Sequence, residues 1–192
     1  MNLEEFVKEI ASAPRVSGTS GEEKALSYLE ECVQNIGFSV RRESFSFQAS
    51  IPQESYLEVR DTRFEVLPLG YSESGEVSGP IAFTESLESE MLEGIDGSIV
   101  VYPDHIFERK EYESLLSSNI GGILLAPGDR LADIPTCTMF WERWLESGRL
   151  IAATIGKRNL YGIVSGDEAT LVSRSIQETL QSANLVWVLD VD

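Results

Sequence analysis

GIDGSIVVY, Gly94–Tyr102, and NIGGILLAPG, Asn119–Gly128, are two short apolar runs rich in Ile, Val and Leu and bounded by glycine or proline. Each reads as a buried strand. Between them, PDHIFERKEYESLLSS places Ile106, Phe107, Tyr112, Leu115 and Leu116 at helical rather than alternating spacing. Strand, helix and strand within so short a span predict a β-α-β unit, a parallel pair joined by a right-handed crossover with the helix covering one face of the sheet. The expected fold class is therefore α/β, a mixed sheet with flanking helices.

On the N-terminal side, Leu3 to Ala11 is amphipathic, with Leu3, Phe6, Val7 and Ile10 on one face and Glu4, Glu5, Lys8 and Glu9 on the other, and Pro14 stops it. In RVSGTSGEEKALSYLEECVQNIGF, Ser20 and Glu23 have the spacing of a capping box, and Thr19 with Glu22 offers an alternative register. Ala25, Leu26, Leu29, Cys32, Val33 and Ile36 make an apolar stripe, and Gly37 is placed to end the helix in the left-handed conformation. FSVRRESFSF, Phe38–Phe47, alternates apolar and polar side chains with a slip of phase between Arg41 and Ser44, which reads as a bulged strand. After Pro52 come SYLEVR, FEVLPL, the turn-rich YSESGEVSGP and IAFTE, punctuated by Gly70, Gly75, Gly79 and Pro80. A boundary near Ser50 is expected, with a helix-and-strand N-terminal appendage over 1–50 and a mixed α/β domain over 51–192.

On the C-terminal side, CTMFW and LIAATI read as strands and LYGIVS as a further short apolar run. Asp167 is placed to cap a helix running to about Gln181, with Leu171, Ile176 and Leu180 as its apolar positions, and NLVWVLDVD reads as a closing strand. There is no internal repeat of fixed period and no low-complexity tract.

With 192 residues, 42% of them hydrophobic, the chain is long enough to bury a sizeable core. Lys and Arg total 15 against 32 Asp and Glu, a formal charge of -17, so the surface repels phosphate backbones and anionic headgroups. Neither nucleic acid nor a membrane is expected as a partner. No segment reaches the roughly 18 consecutive apolar residues of a membrane span, and MNLEEFVKEI carries acids where a secretory signal carries lysines. The expected location is cytoplasmic. Cys32 and Cys137 read as two reduced thiols, with a single bridge between them as the alternative.

Candidate chemistry is sparse. His105 is the one histidine, so this chain alone builds no two-histidine zinc site, and it reads as a surface or helix-start residue. No serine lies in a Gly-x-Ser-x-Gly elbow beside it. Asp129 with Asp133, and Asp190 with Asp192, have the chemistry for a hard cation but lack calcium-loop spacing, and read as solvated carboxylates. RVSGTSG, Arg15–Gly21, opens a helix with glycine-flanked N–H groups suited to an anion, yet it matches no phosphate-loop pattern and reads as a cap. Trp141, Trp144 and Trp187 read as core or interface aromatics. The expected set of catalytic, cofactor-binding and metal-binding residues is empty.

R-V-S-G-T-S-G-E-E-K-A-L-S-Y-L, Arg15–Leu29, followed by N-I-G-F-S-V and F-S-F, resembles the N-terminal segment of zinc-dependent aminopeptidases, the co-catalytic metallopeptidases related to bacterial leucyl aminopeptidases and glutamate carboxypeptidase. In that family an Arg, a Ser-Gly-(Thr/Ser) loop, a Gly-Glu-Glu start and a helix ending in Leu-Gly lead into a strand. Ser55 to about Leu171 is similar to the protease-associated (PA) domain inserted in many of them. The resemblance rests on Y-S-E-S-G-E-V-S-G, G-I-D-G-S-I-V-V-Y, the helix bearing Lys110, N-I-G-G-I-L-L-A and a late strand.

The family's zinc ligands, two histidines and several acids, begin with a His-x-Asp beyond the inserted domain. Here no histidine follows His105 and the sequence ends at V-L-D-V-D, so no ligand is carried over to any position. The resemblance therefore implies a peptidase-associated module, not catalytic by itself, acting in partner binding, substrate access or assembly. Zinc is expected only if a separate catalytic part exists. The Ala25 to Ile36 stripe predicts a protein partner or self-association. Two alternatives remain: half of a split zinc aminopeptidase, and a free-standing module binding a small ligand or peptide at the carboxyl ends of the parallel strands.

Overall fold

A computed structural model describes residues 2–12, 17–106, 108–127, 139–140 and 142–188. The architecture is the mixed α/β class expected, with helices flanking a sheet and a helix-and-strand segment earlier in the sequence. The chain divides into two compact units, Met1–Ala49 with Glu178–Asp192, and Ser50–Gln177.

The first unit contains α1 (Leu3–Ile10), α2 (Ser20–Asn35) and the two-stranded pair of β1 (Ser39–Pro52) with β9 (Ser175–Val188), both strands running across the division into the second unit. Asn2 caps α1 by accepting the Glu4 N–H at 3.1 Å. Thr19 takes the N-cap position of α2, the second of the two registers expected, and Gly37 closes the helix at φ 95°. Arg42 of β1 ties the strand to the helix, donating to Glu23 at 2.6 Å, Glu30 at 2.8 Å and Ser27 at 2.9 Å. Neither helix has a buried residue, although both carry apolar stripes.

The second unit is a closed barrel in the order β2-β3-β7-β6-β5-β4-β8. Its strands are β2 (Tyr56–Val59), β3 (Thr62–Pro68), β4 (Gly75–Phe83), β5 (Ile99–Tyr102), β6 (Gly122–Leu125), β7 (Ala152–Ile155) and β8 (Glu168–Ser173). Strands β4 to β7 are mutually parallel, and antiparallel β2, β3 and β8 close the barrel. The predicted β-α-β unit is β5, α4 (Arg109–Ser117) and β6. These strands are apolar throughout because both faces are covered. Ile99, Val101, Leu124, Ala153 and Ile155 fill the barrel. Val100, Ile123, Leu125 and Ala152 face the other way into a second core, with Leu92 of α3 (Ser89–Leu92), Tyr112 and Leu115 of α4, and Trp144 from the 3-10 helix Glu142–Ser147. Tyr112 lies 4.8 Å from Phe140 and 5.7 Å from Trp144 between ring centroids, and its hydroxyl donates to the Gly148 carbonyl at 2.7 Å.

Three stretches differ from the sequence reading. The helix expected from Asp167 to about Gln181 is instead β8 followed by β9, because each finds a strand partner: β8 lies between β2 and β4, and β9 pairs with β1. For the same reason Glu178–Asp192, assigned by sequence to the second segment, groups with the first unit. LYGIVS, read as a short apolar run, is the end of a 3-10 turn (Lys157–Leu160) and a loop. YSESGEVSGP holds the first half of β4, where Gly79 is required because a Cβ there would stand 2.2 Å from the Gly97 carbonyl oxygen. The CTMFW strand lies largely outside the described residues. Among the described residues, no helix is long and apolar enough to cross a membrane.

Candidate functional site

Few of the polar positions singled out by sequence fall among the described residues. Asp129, Asp133, Cys137, Trp141, Asp190, Asp192 and Arg15 lie outside the described residues. Among the described residues, no group of three or more His, Cys, Asp or Glu side chains could hold a metal ion, so they offer zinc no ligand set. His105 is half-buried between β5 and α4, and its backbone N–H donates to the Asp104 carboxylate at 2.8 Å. Cys32 is a free thiol on α2. Trp144 is a core residue and Trp187 is 55% exposed.

The loop before α2 borders a cavity of about 290 Å³ in the first unit, lined in part by Gly18, Ser20, Glu22, Arg42 and Gln181. An anion there would need free N–H groups. Glu22 takes that place instead, accepting the Gly18 N–H at 2.7 Å and the Ser182 hydroxyl at 2.9 Å. Glu22, in the first turn of α2, thus holds the loop with the protein's own carboxylate, while among the described residues no side chain of the loop caps the helix.

The larger opening belongs to the barrel. A crevice of about 460 Å³ lies beyond the carboxyl ends of the parallel strands. Phe83, Thr84 and Glu85 follow from β4, Val101 and Pro103 from β5, and Ala126 from β6, while Lys157, Leu160, Tyr161 and Ile163 come from the connection after β7. Parallel strands bring these segments to one end because each crossover returns the chain to the same starting edge. Val101, Ala126, Thr84 and Ile163 are buried and make the floor. The rim is exposed, with Phe83 at 44% and Tyr161 at 78%.

Asp167 shapes the rim segment. Its carboxylate accepts the Val164 N–H at 3.0 Å and also pairs with Arg60, while its carbonyl accepts the Ile81 N–H at 2.8 Å. The Val164 hydrogen bond first, and the Arg60 guanidinium second, hold its pKa below the usual aspartate value. Asp167 thus caps a turn rather than a helix, and it fixes the loop that carries Tyr161 and Ile163.

The hydrogen-bonding groups lining the crevice are largely engaged. Thr84 donates its hydroxyl to the Ser86 carbonyl at 2.7 Å and its N–H to the Val101 carbonyl at 3.1 Å. The N–H groups of Ala126, Tyr161 and Ile163 bond to Tyr102, Arg158 and Leu160 at 2.8, 3.1 and 3.1 Å, and that of Phe83 to the Ser165 hydroxyl at 3.4 Å. Away from the charged side chains of Glu85 and Lys157, such a surface favours apolar contents. The sequence reading missed Phe83, Lys157 and Tyr161, of which the first lies more than seventy positions before the other two and none belongs to a motif.

No family model matches the chain, and neither does any curated protein. Solved structures do match its fold. The aminopeptidase from Aneurinibacillus sp. strain AM-1 aligns with a TM-score of 0.62 at 19% identity, covering 94% of this chain and 45% of that one. The zinc aminopeptidase from Bacillus subtilis gives 0.70 at 12%, covering 98% and 47%. The peptidase M28 precursor from Shewanella amazonensis SB2B gives 0.69 at 16%, covering 95% and 48%. The chain spans just under half the length of these structures, and what it shares with them is the fold across both of its units.

Proposed function

We propose that this chain is a protease-associated-like module of the zinc-aminopeptidase type, not catalytic by itself, that serves partner binding, substrate access or assembly. The observation that carries this reading is α2: a sixteen-residue helix with an apolar stripe and no buried residue. Fully burying a Leu, Ile or Val side chain is worth about 1.5–3 kcal/mol, so a stripe left half-exposed retains much of that for another surface. The likeness to just under half of three aminopeptidases supports the identity of that surface, a metal-bearing peptidase part carried on a longer form of this polypeptide or on another chain. Zinc belongs to that part in this reading, and the module works in the cytoplasm.

The test uses the purified 192-residue chain with a chromogenic leucine anilide and added zinc. No hydrolysis above the zinc-only blank is expected; zinc-stimulated turnover defeats the non-catalytic reading. Light scattering on the same sample should give a mass above the monomer's 21.3 kDa or, with the peptidase part present, a stable complex. A strict monomer that captures no peptidase part defeats the assembly reading.

The second reading, one half of a split zinc aminopeptidase, is favoured by the same unburied helix. It predicts that mixing with the metal-bearing half restores hydrolysis of the anilide, whereas a purely accessory module changes only the substrate range of a peptidase part already active alone.

A further inference from the structure

We infer that the crevice beyond β4 to β7 is a peptide-binding subsite that takes one bulky apolar side chain, with basic residues on either side of it in the peptide. This deepens the substrate-access part of the proposed function and does not depend on the assembly part.

Three observations converge on that occupant. The first is size: about 460 Å³ fits the range of small-ligand sites, which begins near 300 Å³, and is ample for a Phe or Leu side chain with its main chain. The second is the chemistry of the floor, where Val101, Ala126 and Ile163 are apolar and Thr84 has its hydroxyl engaged with Ser86. A group entering to that depth gains by being hydrocarbon and loses its own hydrogen bonds if it is polar. Exposed Phe83 and Tyr161 flank the opening, and aromatic side chains at such a position hold a large contact area with few rotatable bonds. The third is charge. On the crevice wall Glu85 and Lys157 offset each other, so it is the formal charge of -17 over the chain that draws cationic peptides and repels anionic amphiphiles such as fatty acids.

The experiment is titration of the full chain with three capped tripeptides, acetyl-Lys-Phe-Lys-amide, acetyl-Lys-Ala-Lys-amide and acetyl-Glu-Phe-Glu-amide, followed by calorimetry and by shifts of the Ala126 and Ile163 methyl resonances. The Phe peptide with Lys flanks should bind about tenfold or more tightly than the Ala peptide. It should also bind several-fold more tightly than the Glu-flanked one, with that gap narrowing at high salt. Tyr161→Ala, at an exposed rim position that does not threaten folding, should weaken the Phe peptide several-fold and leave the Ala peptide unchanged. Equal binding of the Phe and Ala peptides, methyl shifts away from the crevice, or tighter binding of decanoate than of the Phe peptide each overturns the proposal. A chain that captures a peptidase part yet ignores the peptides overturns the crevice alone. One that binds the peptides but stays a lone monomer overturns assembly alone.

Discussion

Asp167 concentrates three contacts in one side chain and residue, and its titration exposes them. Because its folded-state pKa is held below the ordinary value of 3.8 by the Val164 N–H and Arg60, its contribution is fully present above the unfolded pKa. It disappears as pH falls through the lowered folded value. Asp167→Asn should therefore flatten the acid limb of the stability curve below about pH 4, as read by urea midpoints from pH 2 to 7. It should also loosen the Tyr161 to Val164 segment, since the amide gives up the charge-assisted bond to Arg60. Sequence marked Asp167 as a cap, correctly as to chemistry and wrongly as to element. An Asp that accepts a backbone N–H three residues before it looks the same in sequence whether the next element is a helix or a strand.

Among elements, α2 was legible in detail because every signal for it is local: an N-cap, a 3.6-residue stripe and a terminal glycine. Its anchor was not, since Arg42 lies on the following strand. Arg42 and Glu30 are 28% and 26% exposed, and the guanidinium spans two carboxylates and a hydroxyl. Arg42→Ala should lower the stability of the first unit by about 1 kcal/mol, and Arg42→Lys should recover little of it because an ammonium cannot bridge the same partners. Helical circular dichroism during urea titration would measure both. β8 was misread for the opposite reason. Leu171, Ile176 and Leu180 suit a helix by spacing, but β8 is a strand because it fills the gap between β2 and β4, a pairing made with residues about ninety or more positions away. The crevice was beyond reach in the same way, its lining assembled from four connections that only the barrel brings together.

At the scale of the molecule, burial is uneven. The barrel residues Leu57, Ile99, Val100, Ile123, Leu124 and Leu171 are wholly buried, whereas neither helix of the first unit buries any residue. Native-state hydrogen exchange should find the amides of α1 and α2 opening about tenfold or more faster than those of β5 and β6. Addition of a partner that covers α2 should slow the first set and leave the second unchanged.

Closure of the barrel also determines what can be done with its ends. The barrel begins with β2 and ends with β8, and these are neighbours in the sheet, with Tyr56 opposite Val172 and the Gln53 N–H bonded to the Arg174 carbonyl at 2.8 Å. Adjacent strands lie about 4.8 Å apart, so a host loop that accepts such an insertion hardly needs to widen, and the entropy of closing that loop barely changes. The unit is thereby transplantable: it can be spliced into a surface turn of an unrelated protein, or circularly permuted by joining its own ends and opening it elsewhere, without moving the strands on which the crevice stands.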